Sequence, residues 1–225
     1  MKHALCLVFI LLVFVNCVRA VDTHPAKAET EKSEALTFRI LASRAYPQDE
    51  DIIRRGIAES GRNICDPFGK IVARWITIVD SQKSSFENPN MVIREHENTL
   101  EALVKYDDGL DISGEHLKYV GRWVGQSGNL GIAFSFDAVG AHKFGLLTSR
   151  NRPDPIQTQL SRYMGIILND SLYSAPVIRS TIRESGIIEF NTGDTDAERQ
   201  KLNHEIDDMI EVLQTRYLSQ KGDNP

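Results

Sequence analysis

Two apolar runs joined by an Asn-Asp pair constrain the fold of this chain more than any other feature. The segment from Met164 to Ile178 is MGIILNDSLYSAPVI. Asn and Asp tolerate positive φ at low cost and therefore favour a tight turn between two antiparallel strands. Pro176 donates no backbone N–H, so we expect the second strand to leave the ladder around Tyr173-Ser174-Ala175. The pattern predicts an antiparallel hairpin.

Apolar residues alternate with polar ones in several other segments, which is the period of a strand with one buried face. The predicted strands are Leu36–Ala42, Lys70–Asp80, Met91–Arg94, Leu100–Tyr106, Leu130–Phe136 and Gly186–Phe190. Ser127-Gly128-Asn129 predicts a turn before the fifth of these strands.

Capping residues and helical spacing predict four helices. Pro47 opens the first, which runs to about Ser60 with three isoleucines inward, Ile52, Ile53 and Ile57. Ser113 caps a short helix, Gly114–Gly121. Asp137 caps the third, whose predicted buried side contains Ala141, Phe144 and either Leu146 or Leu147.

The fourth helix begins with Thr195-Asp196-Ala197-Glu198, which has the spacing of a capping box. Its predicted apolar stripe is Leu202, Ile206, Met209, Leu213 and Tyr217. We therefore predict an α+β fold with a mostly antiparallel sheet and packed helices. The helices Val139–Thr148 and Asp196–Leu218 are expected to pack on one sheet that contains the hairpin.

The N-terminus is typical of a secretory signal peptide over residues 1–20. Lys2 supplies positive charge, Ala4–Val15 is almost purely apolar, and Val18-Arg19-Ala20 places small residues at a cleavage site. Two alternatives stay open: an uncleaved anchor, although Asn16 interrupts the run before it reaches the length of a span, and lipidation at Cys17. Polar residues 21–34 predict a flexible tether, and residues 219–225 a disordered tail.

Charge and cysteine content narrow the possible partners. Cleavage would remove Cys6 and Cys17 and leave Cys65 alone, so the mature chain could form no internal disulfide. It would also take two of the 26 basic residues, leaving 24 against 31 acidic ones, a net charge of −7. Basic residues form no stripe, which argues against nucleic acid and against adsorption to an anionic membrane.

Residues that could carry chemistry are scattered along the chain. The six histidines are His3, His24, His96, His116, His142 and His204, with no pair at metal-ligand spacing. Gly125, Gly128 and Gly131 precede a strand, whereas a phosphate-binding loop precedes a helix. Ser174 has no obvious base, and Asp194 and Asp196 fit a helix start. Cys65 has no basic neighbour after Arg62 to lower its pKa. We predict no catalytic, metal or cofactor site and no enzyme activity, and polypeptide-binding residues stay unassigned.

Three segments taken together resemble the first periplasmic domain of the SecD protein-export family. They are GIAFSFDAVGAHKFGLLTSRN at Gly131–Asn151, MGIILNDSLYSAPVIRSTI at Met164–Ile182, and the Gly186 strand with the final helix. LTFRILASR at Leu36–Arg44 and LDISGEHLK at Leu110–Lys118 are similar to the beginning of that domain and to the approach to its head subdomain. This sequence has Asn169-Asp170 where the family usually has Asp-Gly, a change that the turn accepts.

The resemblance implies a base-like part at residues 35–108 and a head-like subdomain at 109–218. Family members continue into a transmembrane bundle driven by protons, and no second long apolar run is present here, so we expect a head without that motor. The implied function is an exported, periplasmic binding module that contacts translocating or unfolded polypeptides, with Sec translocase subunits as further implied partners. The alternatives are a bacterial envelope scaffold that kept only the fold, and an enzyme with an unrecognised site.

The signal peptide makes a direct prediction about processing. Because small residues occupy positions 18 and 20, the mature protein should begin at Val21. N-terminal sequencing of the exported protein checks this. A start at Met1 would indicate a retained anchor, and a lipid-modified Cys17 would indicate a lipoprotein.

Overall fold

The computed structural model describes residues 36–80, 83, 86–106, 109–110, 112–126, 128–153, 160–190 and 195–218. The strands within them are β1 (Leu36–Ile40), β2 (Asn63–Cys65), β3 (Ile71–Ile78), β4 (Ile93–His96), β5 (Thr99–Lys105), β6 (Ile112–Ser113), β7 (Leu117–Val124), β8 (Leu130–Phe136), β9 (Met164–Leu168), β10 (Ser171–Ser174) and β11 (Ser185–Phe190). The α-helices are α1 (Glu50–Ala58), α2 (Ala138–Arg150) and α3 (Asp196–Leu213). The predicted signal peptide, tether and tail lie outside the described residues.

The larger sheet has the strand order β4-β5-β3-β10-β9-β1-β6, with β2 paired to β3. β10 and β3 are parallel, and the other pairs are antiparallel. β1 pairs along its whole length with β9, with Phe38 opposite Ile166. The predicted α+β class with mostly antiparallel strands is confirmed.

A second sheet contains three antiparallel strands in the order β11-β8-β7. The prediction of one sheet beneath both helices is therefore wrong. α3 lies against β7 and β8, and α2 contacts β8 and β6. β9 and β6 occupy the two edges of β1, so β8 does not pair with that strand.

The hairpin of β9 and β10 has the predicted turn. Asn169 and Asp170 have φ values of 47° and 60°, the left-handed conformation that these two residues tolerate. The register shifts between Leu172 and Ser174, so the ladder is irregular where Pro176 was expected to disturb it. The carbonyl of Pro176 accepts a hydrogen bond from Met164 N at 3.0 Å, although its nitrogen cannot donate.

The short helix predicted at Gly114–Gly121 is wrong beyond its first turn. Only Gly114–His116 is helical, as a 3₁₀ turn capped by Ser113, and β7 begins at Leu117. β7 is rich in aromatic and β-branched residues, which favour strands, and its backbone gains a full ladder with β8. Tertiary pairing therefore overrides the local capping signal.

Two smaller predictions also need correction. On α1, Ile53 is buried as expected, but Ile57 is 62% exposed because it lies on the solvent side of the helix. The strand predicted at Met91–Arg94 instead begins at Ile93, and Met91 forms an isolated bridge with Ser43. Both helix and strand lie near their predicted positions.

Four phenylalanines join the two sheets and α2 in one core. Phe38 comes from β1, Phe134 and Phe136 from β8, and Phe144 from α2, and all four are at most 4% exposed. The ring of Phe38 lies 5.2 Å from that of Phe134 and 5.2 Å from that of Phe144, between centroids. Tilted and edge-on arrangements at these distances are favourable for aromatic rings.

A buried ion cluster lies at the start of α1. Asp49 is fully buried, forms ion pairs with Arg162 and with Lys105, the latter at 2.9 Å, and accepts from Ser43 N at 3.0 Å. Tyr46 stacks on the Arg162 guanidinium at 3.7 Å. Burial raises the pKa of Tyr46, the charge of Arg162 lowers it and that of Asp49 raises it, and the net shift is upward. The cluster fixes the segment before β9 against α1 and β5.

The predicted division between residues 35–108 and 109–218 stays a prediction. β1 lies before that boundary and pairs with β6 and β9, which lie after it. Strands from both predicted parts therefore share the larger sheet.

Replacing Phe144 by Ala should lower the free energy of unfolding by about 3–5 kcal/mol, because the change removes a fully buried ring and leaves a cavity. Urea denaturation measures the loss. Val139→Ala on the same helix is the control: Val139 is 59% exposed, so its truncation should change stability by less than about 0.5 kcal/mol. A Phe144→Ala loss below about 1 kcal/mol would contradict the assigned core.

Candidate functional site

The three-stranded sheet has one covered face, formed by alternate residues. Val120, Phe134, Ile132 and Ile188 lie on it and are at most 4% exposed. α3 packs against this side, where Arg122 donates to Asp207 at 2.7 Å and to Asn203 at 2.5 Å. We call this the inner face.

The other face, which we call the outer face, contains three large side chains around small ones. Registers place Tyr119 beside Ser135, Ile187 beside Ala133, and Trp123 beside Gly131. Tyr119 is 53% and Ile187 50% exposed. A Cβ at Gly131 would lie 3.1 Å from the Trp123 ring, which therefore lies across that glycine. The outer face is a low, largely apolar surface.

The pattern of backbone hydrogen bonds in this sheet shows which N–H and C=O groups point to its two outer edges. Phe136 N donates to the carbonyl of Glu184 at 2.9 Å. Because antiparallel residues alternate between the two sides of a strand, the even-numbered residues of β11 face β8 and the odd-numbered ones face outward. The free edge of β11 therefore presents the N–H and C=O groups of Ser185, Ile187 and Glu189.

The same alternation applies to the outer edge of β7, but this edge is partly covered. There the even-numbered residues face outward, and the outward carbonyl of Val120 accepts from Gln214 Nε2 at 3.0 Å. Gln214 begins the π-helical turn Gln214–Leu218 that comes after α3. Among the described strands, none pairs with the outer edge of β11. β11 is therefore the more open edge of this sheet.

A cleft of about 400 Å³ adjoins the beginning of β11. Its lining residues are Ala141, His142, Gly145, Leu146 and Ser149 of α2, with Thr181, Arg183 and Glu184 from the segment before β11. Glu184 is shared, because its carbonyl belongs to the ladder with β8. The cleft therefore lies next to the start of β11, and we call the open edge of β11 and the cleft together the edge surface.

One buried hydroxyl fixes the wall of this cleft. Thr148 Oγ1 accepts from Ile182 N at 2.9 Å and lies 3.0 Å from the Ile182 carbonyl oxygen. The same hydroxyl lies 2.8 Å from the carbonyl of Phe144. Thr148 is fully buried, so α2 holds the extended segment before β11 through the backbone of one residue.

The charged groups of the edge surface lie at its two ends. Arg183 and Glu184 line the cleft, and Glu189 lies on the outer face at the far end of β11. Asn129 Nδ2 donates to Glu189 Oε1 at 2.5 Å. A carboxylate can accept several hydrogen bonds, so Glu189 keeps the capacity to bind a second donor.

The residues singled out in the sequence do not come together. His96 ends β4, His116 accepts from Ser113 N, His142 lines the cleft, and His204 lies 3.7 Å from Asp208 on α3. Cys65 is a half-buried free thiol, and Ser174 pairs with Ile166. His3, His24 and Asp194 are outside the described residues, and Asp196 lies in the first turn of α3. Within the part of the chain that is described, no three His, Cys, Asp or Glu residues are grouped to hold a metal.

The edge surface itself was missed by sequence reasoning. The strand around Ile187 was predicted, but a sequence pattern does not show which of its edges lacks a neighbour. The one local signal is an isoleucine at an outward position of an alternating strand, Ile187. It indicates an exposed apolar residue only when the register with β8 is known.

The fold and this surface define a small α+β module with two antiparallel sheets and an open strand edge. The profile of the family "SecDF, P1 head subdomain" matches residues 91–203, half of the chain. The chain therefore belongs to the SecDF P1 head subdomain family, and the resemblance described above is confirmed.

Individual relatives are similar over different shares of the chain. The "Protein translocase subunit SecD" of Acetobacter pasteurianus (strain NBRC 105184 / IFO 3283-01) is 27% identical over an alignment of 184 residues, and the match covers 76% of this chain and 33% of that protein. The chain thus spans about a third of the length of this curated relative. Two solved structures are also similar. "Structure and function of a membrane component SecDF that enhances protein export" has a TM-score of 0.42 at 20% identity over 80% of this chain and 62% of its own. "Crystal structure of SecDF in Super-membrane-facing form" has 0.33 at 18% identity, over 72% and 22%.

None of the helices in the described ranges has the length and apolar character needed to cross a membrane.

Replacing Thr148 by Val keeps the side-chain shape but removes the hydroxyl. The half-buried Ile182 backbone then loses its side-chain partner, so we expect a loss of about 1–3 kcal/mol in the free energy of unfolding. Amide hydrogen exchange at Ile182 should become faster, and urea denaturation gives the global loss.

Ser149→Ala is the matched control, because the Ser149 hydroxyl bonds only the carbonyl of Leu146 in its own helix. It should change stability by less than about 0.5 kcal/mol. Equal effects of the two substitutions would show that the hydroxyl of Thr148 does not hold the segment.

Proposed function

We propose that this chain is an exported, SecD-head-like binding module that contacts translocating or unfolded polypeptides and is ancillary to Sec-dependent protein export. It binds these polypeptides without making or breaking covalent bonds. The proposal rests on membership of the P1 head family together with one observation, the open edge of β11.

An unpaired edge is suited to unfolded chains in particular. Extended polypeptide can add a strand to such an edge, and its main chain then supplies hydrogen bonds whatever its sequence. Ser185, Ile187 and Glu189 direct their backbone groups to this edge, and Ile187 adds exposed apolar area beside it. In a folded client protein, the backbone groups of the strands are already paired internally, so no free strand is offered to this edge.

The setting of this activity is also part of the proposal. The curated relative is a protein translocase subunit, and one of the similar solved structures is described as enhancing protein export. This chain covers only part of each, so it is proposed as an accessory on the outer side of the inner membrane, in the periplasm. Sec translocase subunits are its proposed partners besides the client polypeptide.

The expected affinity is low. A single added strand buries less area than the roughly 1,200–2,000 Å² of a stable protein interface. Ordering an unfolded chain also costs free energy, so micromolar or weaker binding is expected. Weak binding is compatible with a client that must leave again.

Titration of the exported protein with an unfolded secretory protein should give saturable amide chemical-shift changes, centred on β11. The same secretory protein in its folded form should give none. NMR titration at up to about millimolar concentration covers the expected affinity range.

Two matched variants assign the site. Ile187→Asp should weaken binding of the unfolded form, since it places a charge among the apolar contacts of the edge. Ile57→Asp, at another exposed isoleucine, on α1, should leave binding unchanged. Absence of binding to both forms of the secretory protein would refute the proposal and favour the envelope scaffold.

A further inference from the structure

The outward residues of β11 form a short row with different chemistry at each position. Ser185, Ile187 and Glu189 direct their backbone groups to the open edge, and their side chains lie on the outer face. In a paired strand, the residue opposite each of these has its side chain on the same face, about 4.5–5.5 Å away between Cβ atoms. The three outward residues therefore favour particular side chains on the added strand, in addition to pairing with its backbone.

Ile187 and Glu189 are the two positions with a clear preference. Ile187 is half exposed beside Ala133, so an apolar side chain opposite it removes apolar area from water. Glu189 is exposed and accepts from one neutral donor, Asn129, so a Lys or Arg opposite it gains an ion pair. An acidic residue there would be repelled.

The direction of the added strand follows from the sheet. Both pairs of the three-stranded sheet are antiparallel, and antiparallel pairing is the more stable per residue. An antiparallel partner meets Glu189 first and Ile187 two residues later. Its sequence therefore has a basic residue followed, two positions on, by an apolar one.

A second copy of the chain fits the same edge less well in the register that would pair its Arg183 with Glu189. Two β11 strands paired antiparallel about Gly186 would place Arg183 of one copy opposite Glu189 of the other. The Arg183 side chain, however, lies on α2, where its Cγ would be 3.2 Å from a Cβ at Gly145. It is turned away from the position that self-pairing needs, and Ser185 would lie opposite Ile187 with little apolar contact.

We propose that the open edge of β11 binds extended polypeptide segments in which a Lys or Arg precedes an apolar residue by two positions, through Glu189 and Ile187. This inference rests on the proposed function, since it names the client segments that the same edge prefers.

The test uses two acetylated and amidated peptides of about ten residues, rich in Ser and Thr, that differ only in carrying Lys-Thr-Leu or Glu-Thr-Leu. The peptides are titrated into the full exported protein, and binding is followed by the amide chemical shifts of the protein. Exposed charge pairs and like-charge repulsion are each small effects, so about a fivefold tighter binding of the Lys peptide is expected. The preference should shrink at high salt.

Reversing the charge of Glu189 distinguishes a role in peptide recognition from a purely structural role. Glu189→Lys should invert the preference, so that the Glu peptide binds more tightly, and Glu189→Gln should bring the ratio of the two affinities close to one. Glu211→Lys is the matched control, an exposed glutamate on α3, and should leave the ratio as in the parent protein. Methylating the backbone nitrogen of the peptide Leu should abolish binding, because the residue opposite Ile187 exchanges both hydrogen bonds.

Each failure has a separate meaning. An unfolded secretory protein that binds while the peptide ratio stays the same in all variants would overturn this inference and leave the proposed function standing. Absence of shifts with either peptide at millimolar concentration, together with absence of binding to the unfolded protein, would overturn both. A dimer seen by light scattering and dissolved by Ile187→Asp would assign the edge to a second copy and overturn the inference.

Discussion

Contact between four phenylalanine rings is the interaction on which the arrangement of this domain depends. The two sheets share no hydrogen-bonded strand pair among the described residues, so side chains must hold them together. Phe38 extends from the larger sheet, Phe134 and Phe136 from β8, and Phe144 from α2, with the rings of Phe136 and Phe144 only 5.0 Å apart. The inner face of β8 is therefore buried in this cluster, whereas Ile187 of its neighbour β11 is half exposed on the outer face. The same rings hold α2 where it can form one wall of the cleft.

The two edges of the small sheet differ because the turn after α3 covers only one of them. The side chain of Gln214 reaches an outward carbonyl of β7, and Tyr217 lies on Gly114, where a Cβ would collide with its ring. These contacts protect one edge by the means that natural sheets use against unwanted pairing. At β11 the same protection is missing among the described residues, and an exposed isoleucine lies beside the unpaired backbone. This asymmetry supports a binding role for one edge and a structural role for the other.

Local chemistry predicted much of the fold. The Asn169-Asp170 turn, the cap at Asp137 and the capping box at Thr195 all form as expected, because each depends on residues close in sequence. The strand β7 was missed because Ser113 is a good helix cap, and no local pattern shows that the following segment pairs with β8. The edge surface was not predictable for the same reason: openness of β11 depends on which strands pair elsewhere. The division into two sheets is likewise a property of the assembled topology.

The position of β1 has a consequence for the time course of folding. All five of its residues are buried, yet its partner β9 is more than a hundred residues later in the chain. Contacts between such distant segments form slowly, since a long loop must close first. In a chain that emerges N-terminus first, the edge of β1 that pairs with β9 stays without its partner until Met164–Leu168 has also emerged, whereas β6 on the other edge emerges earlier. During that interval β1 is itself an unpaired strand with apolar residues, the kind of segment that the domain is proposed to bind in other proteins.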